Sequence, residues 1–364
     1  MSERISRLRA VLADRELPAL LVGSPINRRY LSGFVGSYAW LFLTGEQAFL
    51  FTDSRYVLQA AHEAPEFEVR ELIEPGKELA DWLIEIAGEL GIDRCGFEAD
   101  HLTFADHGAL VSGLGGHLEL LPTTGIVDRM REIKDDSEVA AMRRAIALTD
   151  QVMEDVIAQL RPTHTELEGA WMFEKALREG GAERPSFPII VAAGPNGAQA
   201  HHRPSADLLG EGRPIIIDMG AHIDGYNADL TRTIVLGEPD ERFWTIYDTV
   251  LAAQRLALDG LRPGMQAHEV DALARDYIAA AGYGDSFGHG LGHCIGMEVH
   301  EQPFVRWTSP GGSSPELQEG MITSIEPGIY LEGWGGVRIE DLVLVTAGGC
   351  EILSHSPKIT KSAR

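Results

Sequence analysis

The sequence predicts a mixed α/β (α+β) protein with two domains, the second of which is internally duplicated. Its 364 residues exceed what one hydrophobic core usually organises. A charged stretch at 124–136 separates two runs of alternating helix and strand patterns, so we expect domains at 1–125 and 126–364. The phrase Leu-Arg-Pro at 160–162 recurs at 261–263, each time between a long and a short helical pattern, which predicts the duplication.

The N-terminal half alternates helix and strand patterns and carries no constellation of metal ligands or nucleophiles. Helices are predicted at 5–15 and at 79–90, where Gly91 ends the second one. Short apolar runs predict strands at 19–22, 30–34, 40–44 and 48–52. Without reactive groups of its own, this half is expected to pack, to form oligomer contacts or to wall one side of a site.

Two pairs of helices are predicted in the C-terminal half. The apolar residues keep helical spacing in the predicted helices at 137–160, 165–181, 241–261 and 268–281. Asp135 with Glu138, and Thr165 with Glu168, form capping boxes at the first two starts. Two or three strands are expected after each pair.

Four carboxylates lie at the ends of these strands, two in each half. Asp218 ends the apolar run 215–217, and Asp229 opens the next run after a glycine-containing turn, a pattern typical of a hairpin or a bent strand pair. Glu326 and Glu340 hold the corresponding places in the second half, 108 and 111 residues further on. Taken alone, Asp218 and Asp229 fit turn-capping residues equally well; with four facing carboxylates, which repel each other, we expect a divalent cation between them.

A glycine-rich segment at 287–301 adds His289, His293 and His300, and its glycines let the backbone and the imidazoles approach a site closely. Four carboxylates and one imidazole form an oxygen-rich set that suits Mn²⁺ or Co²⁺, or a pair of Zn²⁺ ions. Four negative charges balance two divalent ions, roughly 3.5–4 Å apart, which would bring the pKa of a bridging water from about 15.7 towards ~7. The resulting hydroxide predicts hydrolysis of a polarised carbonyl.

Composition and charge narrow the function further. The net charge of −24 argues against nucleic acid and anionic membranes as partners, because both would be repelled. No apolar stretch approaches the roughly 20 residues of a membrane span, and the charged N-terminus lacks the apolar centre of a signal peptide. Three distant cysteines without a CxxC pair indicate a reducing compartment, so a cytoplasmic protein is expected.

The candidate ligands and the residues around them resemble the pita-bread metallopeptidases. The matching motifs are Asp-Leu-Thr-Arg-Thr at 229–233, Val-His-Glu at 299–301, Ile-Glu-Pro-Gly-Ile-Tyr at 325–330 and Gly-Val-Arg-Ile-Glu-Asp at 336–341. The stretches 27–34 and 52–56 are similar to the creatinase-like domain of the aminopeptidase P and prolidase branch. The resemblance implies a creatinase-like α/β domain at 1–125 and a pita-bread catalytic domain with pseudo-twofold duplication at 126–364.

The resemblance also implies a role for each site residue. Two divalent ions, with Mn²⁺ preferred over Zn²⁺ or Co²⁺, would be held by Asp218, Asp229, His293, Glu326 and Glu340. Glu326 would also be the general base, and Arg338 would orient the ligand carboxylates. The substrate and the tetrahedral intermediate would be contacted by His289, His300 and His201, whereas the neighbouring His202 is expected at the surface.

Two positions depart from the family pattern. Cys294 stands where glycine usually follows the metal-binding histidine. Its side chain either fills a small gap or brings a thiol near the metals, which would favour Zn²⁺ and make the site sensitive to oxidation. Ala200 stands where proline often precedes the substrate-contacting histidine.

The implied function is hydrolysis of the N-terminal bond of peptides that have proline in second position. Aminopeptidase P activity on longer peptides is slightly preferred, with prolidase activity on Xaa-Pro dipeptides as the alternative. A dipeptidase needs a cation for the free carboxylate of the proline, and Arg306 is one candidate. A non-catalytic pita-bread binding protein and a creatinase-like amidinohydrolase are less expected, because all five ligands are present. A homodimer or higher homo-oligomer is also expected.

Overall fold

The computed structural model describes residues 3–73, 75–309 and 312–359. The chain divides into two compact units, Met1–Arg131 and Glu132–Arg364. The division falls in the last turn of a helix, Ile126–Glu132, which begins where the second domain is predicted to begin. Among the described residues, no helix combines the length and the apolar character that crossing a membrane requires.

Within its described residues, the first unit contains a six-stranded mixed sheet. The helices are α1 (Glu3–Asp14), α2 (Pro25–Ser32), α3 (Val57–Glu63), α4 (Leu79–Leu90), α5 (Phe104–Leu114) and α6 (Ile126–Glu132). The strands are β1 (Ala19–Val22), β2 (Trp40–Thr44), β3 (Ala48–Asp53), β4 (Glu68–Leu72), β5 (Arg94–Glu98) and β6 (Glu119–Thr123), in the order β4-β3-β2-β1-β5-β6. The sheet packs on α4 and α5 through a buried apolar cluster that includes Phe42, Phe51, Leu83 and Leu114.

The strand predicted at 30–34 is wrong, because residues 30–32 belong to helix α2. The helix begins after Ser24, whose hydroxyl accepts a hydrogen bond from the backbone N–H of Asn27, and Pro25 occupies its first turn. Gly33 ends it with a φ of 81°, a left-handed conformation that favours glycine. The other strands and helices predicted for this unit form within two residues of their predicted bounds.

The second unit, in its described residues, contains two helix pairs and a strand-rich centre. The helices are α7 (Asp136–Ile157), α8 (Glu166–Glu179), α9 (Glu241–Gly260) and α10 (Ala267–Ala280). The strands of the first half are β7 (Arg184–Pro185), β8 (Ile190–Ala193), β9 (Pro214–Met219), β10 (Ala221–Ile223), β11 (Tyr226–Asn227) and β12 (Leu230–Val235). Those of the second half are β13 (Gly292–Cys294), β14 (Glu301–Val305), β15 (Ile322–Ile325), β16 (Gly328–Leu331), β17 (Gly335–Arg338), β18 (Asp341–Thr346) and β19 (Gly349–Ile352). Short 3₁₀ turns lie at Gly194–Ala198 and Gly284–Ser286.

The two halves of this unit repeat one arrangement, which confirms the predicted duplication. In the first half, β9 pairs antiparallel with β8 and β12, and the small hairpin β10–β11 interrupts the connection from β9 to β12. In the second half, β15 pairs antiparallel with β13 and β18, and the hairpin β16–β17 occupies the same place. The second half adds β14 and β19 at the edges of its sheet.

The predicted capping boxes start both helices of the first pair. The carboxylate of Asp135 accepts a hydrogen bond from the backbone N–H of Glu138, and the hydroxyl of Thr165 accepts one from Glu168. Each glutamate returns the contact by accepting from the backbone N–H of its capping residue. Helix α7 ends at Ile157, three residues before its predicted end.

Candidate metal centre

Strand β9 directs Asp218 to the face of the sheet that carries the site. Its Ile215 and Ile217 lie in the apolar core that includes residues of α7 and α8, whereas Ile216 belongs to a separate cluster that packs against Tyr330. Side chains alternate along a strand, so Asp218 shares the face of Ile216. The buried isoleucines therefore fix which way the carboxylate points.

The other three carboxylates also lie at the ends of paired strands. Asp229 immediately precedes β12, beside the end of β9. Glu326 immediately follows β15 and Glu340 immediately precedes β18, so the antiparallel pairing of these strands places both glutamates at one end. The backbone N–H of Glu340 donates to the carbonyl of Thr231 at 3.1 Å, which joins the two halves at the site.

His293, in the middle of β13, presents one nitrogen to the carboxylates. Its Nδ1 lies 3.1 Å from the carbonyl oxygen of Cys294, and a carbonyl only accepts, so Nδ1 carries the proton. Burial lowers the pKa of His293, which keeps the ring neutral at neutral pH. The Nε2 atom, which therefore carries a lone pair, lies 3.7 Å from Asp229 Oδ2 and 3.4 Å from Glu326 Oε1. An imidazole that binds a metal ion through Nε2 requires this tautomer.

The five predicted ligands converge in the structure. Ligand atoms of Asp229, His293 and Glu340 all lie within 4.8 Å of one another. Glu326 adjoins His293, and burial and, to a smaller extent, the charge of Asp218 raise the pKa of Asp229, Glu326 and Glu340. The side chains of Asp218, Asp229 and Glu340 are buried or nearly so, which separates this cluster from ordinary exposed acidic groups.

Two oxygens of this cluster lack a hydrogen-bond donor. Asp218 Oδ1 and Glu340 Oε1 are buried and have no partner among the described residues, a state that costs about 1–3 kcal/mol for a buried acceptor. Burial, and then the charges of the neighbouring carboxylates, raise the pKa of Asp229 and Glu340 well above their usual values. Divalent cations among these oxygens would remove both penalties, so the residues fit the metal ions that the ligand set predicts.

The metal-free protein is expected to lose stability as pH rises. A carboxyl group whose pKa is raised in the folded state stabilises the fold fully below its unfolded pKa, and this contribution is lost as pH rises through the folded pKa. The ordinary values for Asp229 and Glu340 are 3.8 and 4.5, so the decline should start there and continue towards neutral pH. The melting temperature with Mn²⁺ should exceed that with chelator by an amount that grows from about pH 4 to about pH 8. A gap independent of pH would contradict this account.

Buried Arg338 is hydrogen-bonded towards two of the candidate ligands, Asp218 and Glu340. Its Nη2 donates to Asp218 Oδ2 at 2.6 Å, and its Nε donates to the hydroxyl of Thr231 at 3.0 Å. That hydroxyl in turn donates to Glu340 Oε2 at 2.7 Å. Arg338 therefore holds Asp218 directly and Glu340 through Thr231, which leaves the remaining oxygen of each carboxylate for a cation.

A hydrogen-bond chain runs from Arg338 to His289. Nη1 of Arg338 donates to the hydroxyl of Tyr330 at 3.0 Å, and this oxygen lies 2.8 Å from His289 Nε2. His289 Nδ1 donates to the carbonyl of Gly290, and burial lowers the pKa of His289, so Nε2 of the neutral ring accepts from Tyr330. Burial also raises the pKa of Tyr330 to about 12, so its hydroxyl keeps the proton. Contact between His289 and a substrate would require one of these bonds to break.

His300 and His201 are exposed, and they lie near each other beside the cluster. The ring centre of His300 is 4.4 Å from that of His293. Partial burial, and then the neighbouring His293, lower the pKa of His300, and His201 contributes to the same shift. The structure thus brings every predicted site residue into one region. Sequence reasoning gave no role to Tyr330 or Thr231, although both lie inside the motifs that carry the resemblance.

Two neighbours of predicted site residues, His202 and Cys294, are largely or fully buried. The prediction that His202 lies at the surface is wrong, because its side chain is only 10% exposed and its Nε2 lies 2.8 Å from Glu166 Oε2. Cys294 is fully buried, and the charged groups that act most on it are Lys134 and Glu301. Burial raises the pKa of Cys294 to about 12, so it is a neutral thiol that fills apolar space. This environment favours the gap-filling interpretation of Cys294.

Comparison with known proteins decides the family. Residues 140–347 match Metallopeptidase family M24, and residues 4–133 match the Creatinase/Prolidase N-terminal domain. This chain belongs to metallopeptidase family M24. The resemblance and the fold class predicted from the sequence are therefore confirmed, and membership of a metallopeptidase family agrees with divalent metal ions at the carboxylate cluster.

Several members of the family resemble the chain over its whole length. A solved Xaa-Pro dipeptidase from Bacillus anthracis is 37% identical, with a TM-score of 0.93 and 98% of each chain covered. The Xaa-Pro dipeptidase of Pyrococcus horikoshii is 33% identical over 372 residues, which cover 100% of this chain and 98% of the relative. A solved X-Pro aminopeptidase from Thermotoga maritima is 33% identical, with a TM-score of 0.89 and 97% and 99% of the two chains covered. The prediction of a metallo-exopeptidase is confirmed.

Proposed function

We propose that this M24 metallopeptidase is an Xaa-Pro dipeptidase, a prolidase, that works with two divalent ions. The observation that supports hydrolysis most strongly is the lone pair of His293 Nε2 among four carboxylates, two of which have unpartnered buried oxygens. Mn²⁺ fits this oxygen-rich set best, with Zn²⁺ and Co²⁺ as alternatives. Two of the three relatives described above are named Xaa-Pro dipeptidases, which supports prolidase over the aminopeptidase P activity that the sequence slightly preferred.

The residues around the metal centre divide the work of peptide hydrolysis. When bound, the two ions polarise the scissile carbonyl and acidify a water. Glu326, which accepts a hydrogen bond from the Ser324 hydroxyl at 3.0 Å, takes up a proton during attack and delivers it to the leaving nitrogen. Burial raises the pKa of Glu326, which suits a carboxylate that must both accept and return a proton near neutral pH. His300 and His201, beside the cluster, donate to the carbonyl oxygen as its charge develops.

A dipeptidase also needs a cation for the free carboxylate of the proline. Arg338 is committed to Asp218, Thr231 and Tyr330, so it does not serve. Arg306 is exposed, and its guanidinium carbon lies 5.5 Å from the ring centre of Phe304.

The ring of Phe304 connects Arg306 to the metal centre. Its centre lies 6.4 Å from the ring centre of His293 and 6.3 Å from that of His300. Arg306 is thus linked through one aromatic ring to His293 and His300, and we assign it to the carboxylate of a dipeptide whose scissile bond lies over the ligands.

Substrate length tests this function. Mn²⁺-loaded protein should hydrolyse Ala-Pro but not Ala-Pro-Phe-Ala, and a chelator should abolish hydrolysis. Arg306→Ala should raise KM for Ala-Pro about tenfold or more with little change in kcat, since a hydrogen bond to a charged group contributes about 1.5–3 kcal/mol. Arg306→Lys, which keeps the charge, is the matched control, and its KM for Ala-Pro should lie between those of the wild type and Arg306→Ala. Products are followed chromatographically.

The other outcomes of this assay have definite meanings. Cleavage of the tetrapeptide as efficient as that of Ala-Pro would identify an open pocket and an aminopeptidase P. Hydrolysis that survives chelation would contradict the metallopeptidase mechanism. A homodimer or higher homo-oligomer and a cytoplasmic location stay predictions from the sequence.

A further inference from the structure

Glu166 is a buried carboxylate, apart from the metal ligands, that collects hydrogen bonds from one loop. It is the first residue of α8 and is fully buried. Its Oε1 accepts from the backbone N–H of Ala193 at 2.8 Å and from the Asn196 amide at 3.0 Å. Its Oε2 binds His202 Nε2 at 2.8 Å and accepts from the N–H and the hydroxyl of Ser205 at 2.9 and 2.8 Å. Ala193 is the last residue of β8, and the other donors lie in the connection between β8 and β9.

The hydrogen bonds that Glu166 accepts stabilise its ionised form. Burial alone would raise its pKa, but the hydrogen bonds outweigh burial and hold the pKa below its ordinary value. The carboxylate is therefore ionised at neutral pH, and hydrogen bonds to an ionised acceptor are stronger than neutral ones. Its position at the N-terminus of α8 adds a favourable interaction with the helix dipole.

Arg338, beside the metal centre, holds the same loop at a second point. The 3₁₀ turn Gly194–Ala198 runs against β17 so closely that a Cβ on Gly197 would lie 3.1 Å from the backbone nitrogen of Gly336. Nη1 of Arg338 then donates to the carbonyl of Ala200 at 3.2 Å. One residue on each side of His201 is thus anchored: Ala200 by Arg338 and His202 by Glu166.

We propose that Glu166 is a positioning residue of the peptidase site, which acts through His202 to hold the loop that presents His201 to the substrate. The proposal rests on the function proposed above, since it takes His201 as a substrate contact. The loop sequence from 194 to 202 contains glycine and alanine and no bulky apolar residue that could anchor it by packing. Ordering such a backbone costs conformational entropy, and the hydrogen bonds to Glu166 offset part of this cost.

A double-mutant cycle distinguishes positioning from a general structural role. Glu166→Gln should lower kcat/KM for Ala-Pro about tenfold, mainly through kcat, with an unchanged manganese content. In a His201→Ala background the same substitution should change kcat/KM less than about twofold, because the group that it positions is gone. Glu174→Gln, the same substitution at a partly exposed site on α8 where the carboxylate pairs with Arg178 of the same helix, is the control and should have no effect in either background. Equal losses in both backgrounds would overturn the proposal.

Hydrogen exchange gives a readout that does not depend on activity. Glu166→Gln should accelerate exchange of the Ala193 and Ser205 amides in the Mn²⁺-loaded protein, and Glu174→Gln should not. Exchange in Glu166→Gln that equals wild type would overturn the proposal even if activity falls. If the wild-type enzyme cleaves neither peptide, the proposed function fails, and exchange alone decides whether Glu166 holds the loop.

A second pair of variants covers the case in which Glu166→Gln does not fold. His202→Ala removes one bond to Glu166 and should lower kcat/KM in the same direction by a smaller factor, whereas His202→Gln keeps a side-chain donor and should restore most of it. Equal activity of these two variants would show that the bond between residues 202 and 166 has no part in catalysis, and would overturn the proposal.

Discussion

Glu326→Gln is expected to lower kcat by about 10²-fold or more and to leave the protein folded. Glutamine keeps the shape of the side chain and an oxygen that can accept from the Ser324 hydroxyl, as Glu326 does at 3.0 Å. It has no proton to exchange at neutral pH, so both the attack and the departure of the proline nitrogen lose their proton carrier. Steady-state rates on Ala-Pro across pH, with circular dichroism of the variant, make the measurement.

The control separates proton transfer from metal binding, because Glu326 Oε1 also lies 3.4 Å from His293 Nε2. Elemental analysis should find the manganese content of Glu326→Gln close to wild type; a marked loss of metal would instead identify Glu326 chiefly as a ligand. Glu332→Gln, at an exposed position beyond β16, should match wild type in rate and in metal. Turnover of Glu326→Gln near the wild-type rate would remove Glu326 from the proton-transfer role.

Features that depend on short stretches of chain could be predicted from the sequence. In the capping boxes of α7 and α8 the hydrogen-bonded residues are three positions apart, so the local sequence alone locates them. The four carboxylates could be placed because each lies at or next to the end of an apolar strand, and the duplication puts both pairs at equivalent strand ends. Ser24 and Pro25 form a start signal for helix α2, but the apolar residues at 30–34 predict a strand, and in the structure the local start signal prevails.

Features that depend on distant partners could not be predicted. His202 is buried because Glu166, 36 residues earlier in the chain, needs a donor, and nothing near His202 in sequence indicates this. The chain from Arg338 through Tyr330 to His289 joins residues 8 and 41 positions apart, and only the fold brings them together. Hydrogen-bond networks of this kind are set by tertiary contacts, so a motif locates the residues without showing what they bond to.

Asp229→Asn is expected to abolish metal binding and activity and yet to stabilise the metal-free protein. Burial, and then the charges of Glu340, Asp218 and Glu326, raise the pKa of Asp229, so its ionised form is unfavourable without a cation. Asparagine removes one of four like charges at nearly constant volume. The kcat/KM of Asp229→Asn should fall by more than ~10–100-fold, which is the loss typical for removing a residue that only orients a metal ligand.

The two stability effects have opposite signs, which makes the test demanding. With chelator at neutral pH, Asp229→Asn should melt above wild type; with Mn²⁺ the order should reverse, because only wild type gains the free energy of metal binding. Asp276→Asn, at an exposed position on α10, should follow wild type under both conditions. A full metal complement in Asp229→Asn, or a metal-free form less stable than metal-free wild type, would contradict the ligand assignment. A reversal would mean that the fold tolerates the repulsion between Asp229 and its neighbouring carboxylates because the metal ions need Asp229 as a ligand.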